Sequence, residues 1–263
     1  MKKRIVSWLL ALVVLCTLCG GGGFAQEDGT VEEDADFTIA QGLIASLSES
    51  GYYDQQGETM TRGQFLCVMA DLLRWQISGL YNGNYEDVSD GDYLSGCVAT
   101  AYSIGYVAPS SEGFRPDDPI TYLEAVKLAV CAAGYQRLAE ESGGYPVGYL
   151  NVATSIDLTK NLTGDTQGEL SYRDGSVLLY QMLTCDMMSL SQVGETITYE
   201  TKKGRTLLSE IHSIYEVTGI VTATPLSGLT SPETIAASSS VDIDGEAYST
   251  EIACSGWLGW RVK

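Results

Sequence analysis

The side chains that could act as nucleophiles, bases or metal ligands are few in this chain and poorly spaced for the work. The 263 residues include one histidine, His212, and seven cysteines. No cluster of ligand spacing surrounds His212, and beyond the apolar N-terminal run that holds Cys16 and Cys19 no Cys-x-x-Cys pair occurs. One histidine and no Gly-x-Ser-x-Gly run argue against a hydrolase triad. No glycine-rich phosphate loop follows a strand, since Gly20 to Gly23 belongs to an export-type N-terminus. Asp87-Val88-Ser89-Asp90-Gly91-Asp92 alternates carboxylates as a hard cation prefers, but it lacks the downstream Glu of a calcium loop. It reads as a turn, where Asp and Gly collect for local hydrogen-bonding reasons. Glu124 has the chemistry of a catalytic acid, yet a helix-capping role accounts for it. The chain is expected not to be an enzyme, and no metal or cofactor is expected.

The N-terminus explains two of the cysteines. Lys2-Lys3-Arg4 precedes an apolar run from Ile5 to Leu18, too short for a comfortable membrane span but suited to a signal peptide. Cleavage after Ala25 removes Cys16 and Cys19 and leaves Cys67, Cys97, Cys131, Cys185 and Cys254. These are read as buried structural thiols rather than a disulfide framework, because a chain of this length can build a core. The formal net charge is −19, and residues 1–25 carry three basic and no acidic side chains, so the mature chain stands near −22. That balance argues against nucleic acid and anionic membranes as partners. Residues 26–36 read as an acidic, disordered leader.

Three helices must position whatever site exists. Thr121 stands three residues before Glu124, the spacing of a capping box, after a loop Phe114-Arg115-Pro116-Asp117-Asp118-Pro119 that a helix is not expected to cross. Ala125, Leu128, Ala129 and Ala132 follow as one apolar stripe, and Gly134 is a C-terminal stop. The pattern occurs three times. Thr61 and Gln64 stand in the same relation, and Ser171 and Asp174 form a weaker version. Positions four, seven, eight and eleven after each cap are apolar or small throughout. Before each cap lies a shorter helix ending at Gly or Asp and then an apolar residue: Gly51-Tyr52, Gly105-Tyr106 and Asp157-Leu158. The caps are 60 and 50 residues apart in a shared register.

This unit resembles the S-layer homology repeat of bacterial cell-surface proteins. The second repeat carries most of the pattern: Tyr85-Glu86-Asp87-Val88, Tyr93, Gly105-Tyr106, Gly113-Phe114-Arg115-Pro116 and Ile120-Thr121-Tyr122-Leu123-Glu124. The first keeps Thr61-Arg62, and the third keeps Gly144-Tyr145-Pro146-Val147-Gly148-Tyr149-Leu150. The resemblance implies a mainly α fold. Three helix-loop-helix repeats, at 37–78, 79–138 and 139–190, would pack as a pseudo-threefold bundle. It also implies a binding function, the anchoring of an exported protein to the wall of a Gram-positive bacterium through an anionic secondary cell wall polysaccharide. Other S-layer or surface proteins are further partners, and no membrane is involved after signal cleavage. The alternative is a degenerate trimer that keeps the fold as a scaffold or protein-interaction domain. In the family an Arg at the second position of the helix start matters, since a guanidinium grips a carboxylate through two hydrogen bonds. Arg62 matches it; Arg115, Arg173 and Tyr122 are the further ligand-binding candidates.

Residues 196–263 lose helical periodicity and gain β-branched residues. Ile214 to Thr222 reads as a strand, Val241 to Tyr248 as a hairpin around Asp244-Gly245, and Trp257 to Val262 as a last strand. This small β segment is expected to be incomplete, with an exposed edge.

Overall fold

A computed structural model describes residues 34–54, 57–77, 85–193, 196–231, 235–250 and 254–262. The expected signal peptide and all but the end of the expected acidic leader lie outside the described residues. The chain is mainly helical and then forms small antiparallel sheets. It divides into two compact units, one of Ala40–Tyr215 and one that groups Glu216 onward with the chain up to Ile39. No described helix is long and apolar enough to cross a membrane.

The helical unit is built on α2 (Arg62–Leu72), α4 (Tyr122–Ala132) and α7 (Tyr172–Thr184). Each begins where the sequence places its cap. Thr61 and Thr121 complete full capping boxes with Gln64 and Glu124. Ser171 accepts from Asp174 N–H, but the Asp174 carboxylate is turned to another task. The cap residues are extended, so each approaches its helix as a one-residue strand. These short strands close a ring. Met60 N–H donates to Leu170 O, Leu170 N–H to Ile120 O, and Ile120 N–H to Met60 O, at 2.8–3.2 Å. One residue into each helix the cycle runs the other way. Arg62 N–H donates to Asp118 O, Tyr122 N–H to Gly168 O, and Tyr172 N–H to Glu58 O. The first N–H groups of a helix have no partner within it, and here the neighbouring repeat supplies one. Met60, Ile120 and Leu170, all buried, fill the centre. The three helix entries are thus related by an approximate threefold axis.

An accessory helix packs on each capped helix. α3 (Tyr93–Ser103) lies on α2, and α6 (Val147–Ser155) lies on α4. α7 is covered by α8 (Leu207–His212), downstream of it in the chain. α3, α4 and α6 end in the Schellman arrangement. Tyr106 N–H reaches Ala101 O, Tyr135 N–H reaches Val130 O, and Leu158 N–H reaches Ala153 O, with Gly105, Gly134 and Asp157 at positive φ. α2 does the same with Arg74 at φ 49° and Trp75 N–H on Ala70 O. α1 (Ala35–Leu47) stops before Gly51, so the expected Gly-Tyr stop follows the helix at a short remove. α5 (Gln136–Glu141) fills the turn between α4 and α6.

The helical unit continues past the third repeat. β1 (Asp186–Val193) and β2 (Thr196–Thr206) form an antiparallel hairpin that begins one residue after α7. Lys202 to Arg205 lie within β2. The hairpin is tied back to the second repeat, where Met188 N–H donates to Ala133 O and the Tyr135 hydroxyl to Asp186 O. His212, on α8, uses Nε2 on Leu72 O at 2.7 Å. These links keep residues up to Tyr215 with the helices, although the sequence places the β-rich segment from 196 onward.

Gly134 shows how tightly β1 is seated. It lies at φ +88°, and a Cβ there would come 2.6 Å from Met188 O. Gly134→Ala adds a left-handed alanine and a backbone clash, for an expected loss of about 2 kcal/mol. Urea unfolding of the full chain checks this. Gly105→Ala, at φ +78° with only the Gln136 amide within 4 Å, should cost less.

The C-terminal unit carries a four-stranded antiparallel sheet in the order β5-β4-β3-β6. The strands are β3 (Gly219–Ala223), β4 (Ser240–Ile243), β5 (Glu246–Ser249) and β6 (Arg261–Val262). Asp244 and Gly245, both at positive φ, make the two-residue β4–β5 turn that the sequence signals. Val221, Val241, Cys254 and Val262 form the core, with Ile243, Tyr248 and Trp257 packed on it. The last strand is shorter than the sequence implies, because Trp257 to Trp260 forms a turn.

Candidate functional site

The seam between the first two repeats gathers the charged groups that the helix starts present. Gly63 sets how close the repeats come. Its N–H donates to Pro116 O at 2.8 Å, and a Cβ there would meet that oxygen at 3.0 Å. The loop bearing Pro116 is clamped from behind by Asp87, whose carboxylate accepts from Phe114 N–H at 2.8 Å and Arg115 N–H at 2.5 Å. Gly113, at φ +86°, lies so close to that carboxylate that a Cβ would meet it at 2.5 Å. The acidic run read as a turn therefore spends its first aspartate on holding a loop. Burial raises the Asp87 carboxyl, but the two N–H groups outweigh it and hold it below its ordinary range. Among the described residues no group of three or more His, Cys, Asp or Glu could hold a metal ion.

On this loop sits the guanidinium of Arg62, at the first position of α2. Nε donates to Phe114 O at 2.7 Å, the guanidinium carbon lies 5.1 Å over the Phe114 ring, and Nη1 is bonded to Glu124 Oε1. The Arg62 side chain is 15% exposed and that of Glu124 30%. Glu124 works twice: Oε2 takes the Thr121 N–H of the capping box while Oε1 takes Arg62. Burial raises its carboxyl, but the Thr121 hydrogen bond and Arg62 together hold it below its ordinary value. One turn along α4, Lys127 Nζ lies 5.8 Å from the ring centroid of Tyr145, which is 50% exposed. Burial and the Glu124 charge raise the Tyr145 phenol, and Arg62 opposes them. Two cations, one carboxylate and one exposed aromatic ring thus stand around a single seam. That combination suits a ligand with both an anionic group and a sugar-like face.

The other candidates lie elsewhere. Arg115 is in the same loop, at φ 56°, 47% exposed and between Glu112 and Asp118 at 3.9 and 3.7 Å. Tyr122 belongs to the seam between the second and third repeats, and Arg173 lies on the third repeat's own loop. Tyr122 is 4% exposed, so its ring has no open face on which a sugar could stack. Arg173 donates through Nη1 to Asn161 O and to Asp174 Oδ1. Asp174 in turn accepts from Thr163 N–H and Gly164 N–H, doing for the third repeat what Asp87 does for the second. At the remaining seam the first helical residue is Tyr172, buried against Tyr53 with ring centroids 5.4 Å apart. Lys127 escapes a reading by motif, although helix spacing puts it on the Glu124 face. Tyr145 lies in the family-like run of the third repeat, but nothing local brings it to Lys127.

No family model matches the chain. It is 26% identical over 222 residues to the Middle cell wall protein of Brevibacillus brevis, covering 79% of this chain and 20% of that one. It is 25% identical over 172 residues to the Surface layer protein of Brevibacillus choshinensis, covering 61% and 15%. Exoglucanase XynX of Acetivibrio thermocellus is 24% identical over 106 residues, covering 40% and 10%. The chain spans about a fifth of the length of the first of these relatives. It is a distant relative of cell-wall and surface-layer proteins.

Proposed function

We propose that residues 37–190 are three S-layer homology repeats, and that the chain anchors an exported protein to the bacterial cell wall by binding an anionic secondary cell wall polysaccharide. The observation that carries this reading is Arg62, held across the first seam by Phe114 and Glu124 with Lys127 and Tyr145 beside it. Nε–H and one Nη1–H are engaged, so the other Nη1–H and the two Nη2–H groups are the donors left to grip a ligand carboxylate. Tyr145 supplies the sugar-facing ring. The distant relation to cell-wall proteins supports a place at the cell surface. In this reading the chain has no catalytic role. Among the described residues the candidate carboxylate, Glu124, is taken up by a cap and an ion pair.

A second reading has its own support. Of the three capped helices only α2 has an arginine as its first residue, and the other two begin with buried tyrosines, as a trimer kept for scaffolding would. Co-pelleting of the full chain with purified cell walls separates the two. Wall association that disappears when the polysaccharide is extracted is expected from the anchor. No association with intact walls would leave the scaffold.

A further inference from the structure

Of the described cysteines, Cys131, Cys185 and Cys254 stand in separate surroundings. Cys131 lies beside Lys127 and Tyr149, Cys185 on Met182 O, and Cys254 on Ser240 O. Cys67 and Cys97 differ. Cys67 is on α2 and Cys97 on α3, both are free thiols with fully buried side chains, and the two lie within hydrogen-bonding reach of each other. The packing of the two helices puts them there. Gly63, Cys67 and Asp71 recur every four residues along one face of α2. Tyr93, Leu94 and Cys97 lie along one face of α3. At one end of this contact Leu94 Cδ1 lies 3.4 Å from where a Gly63 Cβ would be, and at the other the Tyr93 hydroxyl donates to Asp71 at 2.6 Å. Cys67 lies midway between Gly63 and Asp71 on α2, and Cys97 lies one turn past Tyr93 and Leu94 on α3, so the packing of the two helices brings the thiols together.

We propose that Cys67 and Cys97 are a disulfide site, closed in the exported protein and stapling the second repeat's first helix to the capped helix of the first. The proposal rests on export, and it is independent of what the first seam binds. Its chemistry is thiol–disulfide exchange with a disulfide donor of the oxidising compartment. One S–S bond forms between the cysteines as the donor's S–S bond breaks, and the donor leaves as two thiols carrying both protons and both electrons. The Cys97 contact and burial push the Cys67 thiol up, so the folded protein offers little thiolate for exchange. Closure therefore belongs to folding, before α3 covers Cys67, and the closed bond is shielded from reductants.

The test uses the full chain, exported through its own signal and denatured in an alkylating agent without reductant. Three of the five remaining cysteines should alkylate, the intact mass should be lower by two hydrogen atoms, and peptide mapping should join the Cys67 and Cys97 peptides. Alkylation of all five, or linkage through Cys131, Cys185 or Cys254, would overturn the proposal. Mapping on the parent protein decides the matter even where Cys67→Ser or Cys97→Ser fails to fold. Where these variants fold, each should show four alkylated thiols. The parent should lose about 5–10 °C in Tm when unfolded with dithiothreitol, the variants none. Variants as sensitive to dithiothreitol as the parent would count against the assigned pair.

Discussion

Asp71→Ala is expected to cost the helical unit about 3 kcal/mol, more than any other substitution considered. Asp71 lies in the last turn of α2, where the helix dipole disfavours a carboxylate. It is held there by a dense set of donors. Oδ2 accepts from the Ser48 and Ser50 hydroxyls at 2.6 Å each and from the Glu49 and Ser50 N–H groups, and Oδ1 accepts from the Tyr93 hydroxyl. One side chain thus joins the segment after α1, the end of α2 and the start of α3. Hydrogen bonds to a charged group are worth about 1.5–3 kcal/mol singly and do not add in full, which sets the estimate. For a unit of this size Tm should fall by about 6–12 °C. Asp71→Asn keeps the shape but turns an amide N–H₂ toward donors, so it should recover only part of the loss. Burial raises the Asp71 carboxyl, but these donors lower it further, so its net shift is below the ordinary 3.8. A depressed carboxyl stabilises the fold above the unfolded value, and that contribution fades as pH falls through the folded one. Urea midpoints of parent and Asp71→Ala should therefore lie well apart at pH 7 and converge as the pH falls below the ordinary carboxyl range. A constant gap would contradict this account.

The second large effect concerns binding. If Arg62 grips a carboxylate of the wall polymer, Arg62→Ala should weaken binding roughly ten- to a hundredfold, the value of one charged hydrogen-bonding partner. Arg62→Lys should restore little, since an ammonium cannot lie flat on Phe114 and still present two parallel donors. The structure adds a sharper expectation for Glu124. Its carboxylate competes with the ligand for the guanidinium and repels an anion. Glu124→Gln removes the charge and keeps the cap, because Gln64 already performs that role on α2. Glu124→Gln should therefore tighten binding while Arg62→Ala weakens it. Arg115→Ala, in an exposed cluster, should have a smaller effect, and Tyr122→Ala should act through stability. Titration calorimetry or wall pelleting with these variants, each first shown to be folded, measures all five. Equal affinity for parent and Arg62→Ala would remove Arg62 from the site. With a formal net charge of −19 the approach of an anion is opposed at long range, so added salt should weaken binding less than it does for a basic protein.

What the sequence alone determined is local. The capping pairs Thr61 with Gln64 and Thr121 with Glu124, the positive-φ stops at Gly105, Gly134 and Asp157, and the Asp244-Gly245 turn all rest on contacts within a few residues. Backbone sterics and i to i+3 hydrogen bonds decide such features whatever the rest of the chain does. The tertiary structure decided what joins distant positions. Ser171 and Asp174 have the spacing of a cap, but a loop ten residues upstream takes the carboxylate, so half the box is spent on packing. Strand β1 follows α7 because Ala133 O and Tyr135 wait for it in another repeat, a demand invisible in Asp186 to Val193. The ring of Met60, Ile120 and Leu170 closes only when all three repeats are present, since each residue's N–H needs another repeat's carbonyl. The same limit applies to the candidate site. Arg62 is legible as a residue in the right place, but its partner lies 62 residues away, and only the closing of the ring brings the two together.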